Sequence, residues 1–213
     1  MGGVIWNKGL LEQAEALCRV ARRCYGRGWV PATAGNFSFR DGETGRIFIT
    51  ASGLDKGAIT PEQLLEIDLE CHVLAGFGAP SAEISLHGVV YRDRPGAGSI
   101  LHVHSTWNTL LSDHFASAGA VPLEGYELLK ALSGVSTHLH LEYVPVLENS
   151  QDYSTLSLSL SEVLLQNSRA HGVLLRRHGL YTWGESVSEA RKHLEALEFL
   201  FEVEARRLLS HSL

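Results

Sequence analysis

The amino-acid sequence predicts a single α/β domain, and three observations support this prediction. Apolar residues recur at helical spacing near both ends of the chain, over residues 8–25 and 188–209. Between these segments, short stretches alternate apolar and polar residues as strands do, for example at Phe37 and Phe39. No repeat, low-complexity tract or linker divides the sequence, and a chain of 213 residues with 45% hydrophobic residues can bury one sizeable core. We therefore expect residues 1–213 to form one domain.

The first half of the sequence predicts a helix, two strand pairs and a second helix. The helix of residues 8–25 ends where Gly-Arg-Gly interrupts the apolar pattern. The alternating stretches FSF and IFIT flank the turn-forming sequence DGETG, which predicts a hairpin. LLEIDLE and CHVLAG predict another short strand pair. The segment SAEISLHGVVYRDR predicts a helix with Ser81 as its N-cap and Glu83 in its first turn.

The second half predicts three strands or strand pairs separated by helices. GSILHVH is expected to be a buried strand, and a helix is expected to start at Ser105 in STWNTLLSDHF. PLEGYELLKALSG predicts a shorter helix that Gly134 ends, and LEYVPVLE predicts a strand. Pro145 predicts either that this strand lies at a sheet edge or that the proline lies at the end of the strand. A helix over about residues 154–168 then precedes two strands around a His-Gly turn in HGVLLRRHGLYTWG.

Composition and charge exclude several classes of function. The formal net charge of −6 argues against non-specific binding to nucleic acid, which requires a basic surface. No apolar run approaches the roughly 20 residues that span a membrane, and the N-terminus lacks the pattern of a signal peptide. The three cysteines, at Cys18, Cys24 and Cys71, are unevenly spaced and form no disulfide framework. We expect a cytoplasmic protein with reduced cysteines and neither nucleic acid nor membrane as a partner.

A His-x-His pair in ILHVHSTWN is the strongest chemical motif among the 11 histidines. On a strand, His102 and His104 project from one face and can share a metal ion at roughly 2.0–2.1 Å per Zn–N bond. His178 lies at a sharp turn, where Gly179 lets the backbone pass close to a site. Three neutral imidazoles leave a coordination position free, which is the catalytic arrangement. The alternative is that the pair is simply two histidines satisfied by ordinary hydrogen bonds.

A second His-x-His pair, His138 and His140 in STHLHLEYV, has the same spacing but no third ligand nearby. We interpret these two as solvated or supporting histidines. The remaining histidines are expected to be ordinary surface or core residues: His72, His87, His114, His171, His193 and His211.

Two glycine-containing loops could bind a phosphate group. In TAGNFSFR, the backbone at Gly35 and Asn36 can turn its N–H groups outward. In TASGLDKG, Ser52 and Gly53 can do the same, with Lys56 nearby. Ordinary turn chemistry explains either loop nearly as well.

Two carboxylates are candidates for proton transfer. Glu83 in PSAEISLH and Glu127 in EGYELLKAL could each be tuned by a neighbouring metal to act near neutral pH. Lys130 follows Glu127 by three residues and would share its helix face, where it could meet an anion. The alternative for each glutamate is a surface residue or a partner of the helix dipole.

Five blocks, in this order along the chain, resemble the class II (zinc-dependent) aldolase/epimerase superfamily: TAGNFSFR, TASGLDK, PSAEISLH, ILHVHS and RRHGLYTWG. The resemblance covers essentially the whole sequence. It implies a three-layer α/β/α fold with a mainly antiparallel sheet, a homotetramer, and active sites near subunit interfaces. LLRRHGLYTWGE and VPVLENSQD resemble the methylthioribulose-1-phosphate dehydratase branch, because the aldolases more often carry Asn-His-Gly where this chain has Arg177-His178-Gly179.

The resemblance also implies roles for particular residues. It places one Zn²⁺ per subunit, with iron as the alternative, on His102, His104 and His178. It places the phosphate of a small sugar phosphate among Gly35, Asn36, Ser52 and Gly53, together with Lys130. In aldolases the residue matching Glu83 is the acid/base, whereas in dehydratases the residue matching Glu127 is the better candidate. This chain has both carboxylates, so the assignment stays open, with Glu127 preferred.

The activity implied by the dehydratase branch is a zinc-dependent dehydration in L-methionine salvage. It converts 5-methylthioribulose 1-phosphate to 2,3-diketo-5-methylthiopentyl 1-phosphate, with the metal as Lewis acid. Glu127 would take the C3 proton or deliver one to the departing C4 hydroxyl. One alternative is a class II sugar-phosphate aldolase or pentulose-phosphate 4-epimerase. The other is a non-catalytic binding domain like the adducin head, which is expected to lack the metal ligands that this chain retains.

Overall fold

A nine-stranded sheet organises the chain in the computed structural model, which describes residues 2–210. The strands are β1 (Asn36–Arg40), β2 (Ile47–Thr50), β3 (Leu64–Ile67), β4 (Val73–Ala75), β5 (Ser99–Val103), β6 (Ala120–Glu124), β7 (Leu141–Leu147), β8 (Gly172–Leu175) and β9 (Gly179–Gly184). The helices are α1 (Lys8–Gly26), α2 (Ile84–Asp93), α3 (Thr106–His114), α4 (Tyr153–Gln166) and α5 (Val187–Ser210). His211, expected to be a surface or core residue, lies outside the described residues.

The strand order is β4-β3-β2-β1-β5-β9-β8-β7-β6. Neighbouring strands are antiparallel, apart from the parallel pair of β7 and β8. This confirms the mainly antiparallel sheet that the resemblance implies. It also sets β5 between β1 and β9 near the middle of the sheet, where a strand is protected on both edges.

Helices cover both faces of this sheet. Phe37, Phe39 and Phe48 share one buried cluster with apolar residues of α1, α3 and α5. Ile47 and Ile49, which alternate with Phe48 along β2, share the other cluster with residues of α2 and α4. Because successive strand residues face opposite sides, this alternation buries both faces of the sheet. The three-layer α/β/α architecture is confirmed.

Most of the expected elements are confirmed, including both strand pairs of the first half and the His-Gly turn between β8 and β9. The first helix begins after Asn7, whose side-chain oxygen accepts a hydrogen bond from the Leu10 N–H at 2.8 Å. Ser105 caps α3 as expected, because its hydroxyl accepts from the Asn108 N–H at 3.1 Å.

The start of α2 differs from the expectation. The helix begins at Ile84, so Glu83 occupies the N-cap position rather than the first turn. Ser81 lies two residues earlier, and its hydroxyl accepts a hydrogen bond from the Glu83 N–H at 3.2 Å. The Glu83 side chain makes no capping bond, because tertiary contacts described below direct it toward histidines of the sheet.

One expectation in the second half is wrong, and another holds only in part. The first residues of PLEGYELLKALSG belong to β6, where Val121 and Leu123 alternate as buried residues, and only Glu127–Ala131 form a 3₁₀ helix. The expectation for Pro145 holds only locally: β7 as a whole pairs with both β6 and β8, but at Pro145 it pairs with β6 alone. Pairing with β8 starts at Val146, one residue after the proline, so the missing N–H of Pro145 removes no bond from that ladder.

Between residues 2 and 210, no helix combines the length and apolar character needed to cross a bilayer.

Candidate metal centre

His102 and His104 lie at the C-terminal end of β5. His102 is fully buried, and its ring stacks on Tyr181 of β9 with a centroid distance of 3.9 Å. Its Nδ1–H donates to the Leu180 carbonyl at 3.0 Å, which leaves the Nε2 lone pair free to face the site. The His104 N–H donates to the Trp29 carbonyl at 2.8 Å, which fixes the backbone of the second histidine.

His178 reaches the same place from the turn between β8 and β9. Arg177, which precedes it, has a left-handed φ of 53°, a conformation that costs free energy for a residue with a Cβ. Helix α3 compensates for this cost. The Ser112 hydroxyl accepts from the Arg177 N–H at 3.0 Å, and Asp113 pairs with the Arg177 guanidinium at 2.9 Å.

One donor atom from each of Glu83, His102, His104 and His178 lies within 4.8 Å of the other three. The His102 and His104 Nε2 atoms are 2.8 Å apart, and His178 Nε2 lies 2.8 Å from Glu83 Oε1. The structure therefore brings together the three histidines predicted from the sequence, and it adds a carboxylate to them.

The electrostatics of this cluster fit a bound cation. Burial lowers the pKa of His102, and it lowers the pKa of His104 to about 3. Burial alone would raise the pKa of Glu83, but the neighbouring His102 and His178 rings hold that pKa well below its usual range. Neutral imidazoles and an ionised carboxylate are the forms that bind metals. Nitrogen lone pairs this close to each other and to a carboxylate oxygen repel unless a proton or cation lies between them.

A buried hydrogen-bond chain holds Glu83 in place. The Asn36 side-chain amide donates to Glu83 Oε2 at 2.6 Å, and its oxygen accepts from His87 Nε2 at 2.5 Å. His87 Nδ1 then accepts from the Ser38 hydroxyl at 2.8 Å, and Ser38 accepts from Tyr91. Burial lowers the pKa of His87 to about 3, so the ring is neutral and serves as a donor and an acceptor. His87 is thus a core residue, as expected, with a positioning role that the sequence did not indicate.

A cavity of about 280 Å³ adjoins the cluster. Its lining includes Glu83 and His104, and it also includes the predicted phosphate-binding residues Gly35, Asn36, Ser52 and Gly53. A Cβ at Gly35 would lie 2.6 Å from the His102 carbonyl oxygen, so this loop can approach β5 only as glycine. The two loops and the candidate metal centre therefore share one space.

A family model for the class II aldolase and adducin N-terminal domain matches residues 15–205. The chain belongs to this family. The resemblance to the class II aldolase superfamily inferred from the sequence blocks is thereby confirmed.

Among curated members of the class II aldolase family, methylthioribulose-1-phosphate dehydratase of Methylococcus capsulatus is 48% identical over 91% of this chain and 93% of that protein. The protein of the same name from Pseudoalteromonas translucida is 47% identical over 84% of each chain. A crystal structure of L-fuculose-1-phosphate aldolase from Thermus thermophilus superposes with a TM-score of 0.75 at 30% identity, covering 95% of this chain and 98% of that one.

Two residues predicted for the class II aldolase site lie elsewhere on the surface of this chain. The Glu127 side chain is 71% exposed; it pairs with Lys130 and lies 3.8 Å from His138 Nδ1. Glu127 and Lys130 thus share a face of their 3₁₀ helix, but neither lines the cavity. The second His-x-His pair also stays apart from the metal cluster, since His140 donates to Glu142 at 2.9 Å.

Two features of the site were only partly anticipated from the sequence. Glu83 was predicted as an acid/base and emerges also as a fourth candidate ligand. Lys56 was noted beside the Ser52–Gly53 loop as a residue type that suits a phosphate group, but Lys130 was preferred; the structure places Lys56 in the cavity lining. A lysine in an otherwise turn-forming segment gives no signal of burial, because only the packing of residues distant in sequence removes it from solvent.

Gly179 is expected to be intolerant of a side chain. A Cβ there would lie 2.3 Å from the Val103 carbonyl oxygen and 3.0–3.1 Å from ring carbons of His102 and His104. We predict that Gly179→Ala lowers the free energy of unfolding by about 2–4 kcal/mol, since β9 must move away from β5. Thermal unfolding should show a melting temperature lower by roughly 5 °C or more.

Gly96→Ala is the matched control, because a Cβ at Gly96 meets nothing within 4 Å. That variant should unfold within about 0.5 kcal/mol of wild type. Equal melting temperatures for the two variants would show that β5 and β9 pack less tightly at the histidines than described.

Proposed function

We propose that this chain is a zinc-dependent methylthioribulose-1-phosphate dehydratase of L-methionine salvage. The observation that carries the proposal is the Glu83, His102, His104 and His178 cluster beside a cavity lined by two glycine-containing loops. The dehydratases that are 47–48% identical over most of this chain favour the dehydration of 5-methylthioribulose 1-phosphate over other reactions of this fold. The product would be 2,3-diketo-5-methylthiopentyl 1-phosphate.

The donor set supports zinc, one ion per subunit. Imidazole nitrogen and carboxylate oxygen are both ligands that Zn²⁺ accepts, and with Glu83 as a fourth ligand the substrate oxygens would enter beside Glu83 or in its place. When bound, the ion supplies Lewis acidity for a substrate carbonyl and hydroxyl. The histidines hold it, and the chain from Asn36 through His87 orients Glu83 beside it.

The chain's own groups have separate tasks in this proposal. The loops at Gly35–Asn36 and Ser52–Gly53 hold the phosphate and so fix the distance of the reacting carbons from the cluster. Glu127, as predicted from the sequence, moves the proton at C3 or protonates the departing C4 hydroxyl. Because Glu127 lies outside the cavity of its own chain, this role requires that it come from a neighbouring subunit.

The surface around Glu127 supports such an arrangement. Two exposed apolar side chains lie in the same segments, Leu128 at 37% and Leu139 at 73% exposure. Contact with a neighbouring subunit would remove these apolar side chains from water. We therefore propose a homotetramer in which Glu127 of each subunit completes the site of its neighbour.

The product assay tests the proposed activity. Purified zinc-loaded protein incubated with 5-methylthioribulose 1-phosphate should form the diketone phosphate, detected by mass loss of one water. Release of an aldehyde fragment instead would identify a sugar-phosphate aldolase, and the dehydratase proposal would fail. Protein purified without stoichiometric metal would favour an adducin-like binding domain.

A further inference from the structure

Lys56 is a lysine whose ammonium group lies inside the protein. Its side chain is 1% exposed, and Nζ donates to the carbonyl oxygens of Thr33 at 2.9 Å and Leu54 at 3.0 Å. An ammonium group has three N–H donors, so one remains for a further acceptor. Across residues 2–210 Lys56 forms no ion pair, and Asp55 acts on it only as a nearby charge.

A buried ammonium without a counter-ion costs free energy. Burial lowers the pKa of Lys56 to about 8, which is the expected response of a cation removed from water. The two carbonyl oxygens satisfy hydrogen bonds but carry no full negative charge. An anion beside Lys56 would offset this cost by direct charge pairing, which neutral carbonyl oxygens or water provide only in part.

The space beside Lys56 is the cavity that adjoins the candidate metal centre. Lys56 is the one lysine or arginine among the described residues that line it. Ser52 and Gly53, which precede it by a few residues, line the same cavity. A divalent ion held by three neutral histidines and one carboxylate has a net charge of +1, and Lys56 adds a second positive charge. A phosphate monoester, with about −1.5 to −2 charges near pH 7, matches this total.

We propose that the Lys56 ammonium binds the phosphate group of the substrate, donating its third N–H to a phosphate oxygen beside the Ser52–Gly53 loop. The sugar-phosphate class of that substrate rests on the proposed function. The lysine predicted for this role from the sequence was Lys130, which lies on the exposed 3₁₀ helix and pairs with Glu127. Lys56 gives each subunit a phosphate-binding cation of its own.

Inorganic phosphate binding to the zinc-loaded protein tests this proposal independently of turnover. Lys56→Met keeps the length of the side chain and removes its charge. It should raise the dissociation constant for phosphate by about 10- to 100-fold in calorimetry at fixed ionic strength, the range for a charge-assisted hydrogen bond. Lys56→Arg should recover part of this loss. The exposed Lys192 offers the control Lys192→Met, which should bind phosphate as wild type does.

Zinc content and melting temperature establish whether Lys56→Met is folded. A folded, zinc-loaded Lys56→Met that binds phosphate with wild-type affinity would overturn the proposal. If that variant does not fold, the rate of acetylation of lysines in the wild-type protein provides the test. Phosphate should slow acetylation of Lys56 at least tenfold and leave the rate at Lys192 unchanged. Equal rates at Lys56 with and without phosphate would also overturn it. If Lys56→Met loses phosphate binding but the wild-type protein is inactive on methylthioribulose phosphate, the proposed function fails and the phosphate-binding role of Lys56 stands.

Discussion

Replacement of His104 by glutamine is expected to abolish stoichiometric metal binding and to lower product formation by on the order of 10³-fold or more. The reason is that His104 supplies one of three imidazoles that lie within 4.8 Å of each other, and its neutral form depends on burial. Lewis-acid stabilisation by a bound ion contributes several kcal/mol to such reactions, and each 1.36 kcal/mol is about tenfold in rate. Metal analysis and the diketone assay on the same preparation measure both effects.

The control for this variant is His72→Gln. His72 is an exposed histidine, 75% accessible at its side chain, which pairs with Asp68 away from the sheet centre. The His72→Gln variant should keep both its bound metal and its activity. A His104→Gln protein that retains one equivalent of zinc and full activity would remove His104 from the metal centre.

Glu127→Gln is expected to lower product formation by about 10²- to 10⁴-fold while zinc content stays at one per subunit, because general acid–base catalysis contributes this range. Glu83→Gln should behave differently. Its carboxylate contacts His178 and accepts from Asn36, so the neutral amide should weaken zinc binding as well as activity. If Glu127→Gln is fully active and Glu83→Gln is inactive with zinc bound, the proton-transfer role belongs to Glu83.

Mixed oligomers of two variants test the proposal that Glu127 acts across a subunit interface. Glu127→Gln subunits keep the histidines, and His104→Gln subunits keep Glu127. If the site combines groups of two subunits, dissociation and random reassembly of equal amounts should restore about a quarter of the sites. If both groups act within one chain, no mixture of these inactive variants can regain activity.

The periodic elements of this fold were predictable because their signal is local. The apolar repeat of α1 and α5 and the alternation in β1 and β2 depend only on which side chains face a core. The helix predicted for PLEGYELLKALSG was wrong for the opposite reason, because its structure depends on residues distant in sequence. Its first residues have helix-compatible composition, but pairing of Ala120–Glu124 with β7 overrides that preference.

The candidate metal ligands were also predictable in part from local sequence. The His-x-His spacing of His102 and His104 follows from strand geometry, and both the turn at Gly179 and the ordered family blocks indicated His178. Spacing alone would have favoured His138 and His140 equally, yet those side chains lie near Glu127 and Glu142 instead. The neighbours of each pair, rather than its spacing, separate a candidate metal centre from a surface pair.

The sequence by itself thus determined the α/β class, the family, the three histidines and the two glycine-containing loops, because each depends on short-range pattern or on ordered motifs. Only the tertiary structure decided that Glu83 faces the histidines, that Lys56 is buried beside the loops, and that Glu127 is exposed. These facts concern the directions of side chains brought together from strands and helices distant in sequence. Contacts between these distant segments fix those directions, and no local propensity encodes them.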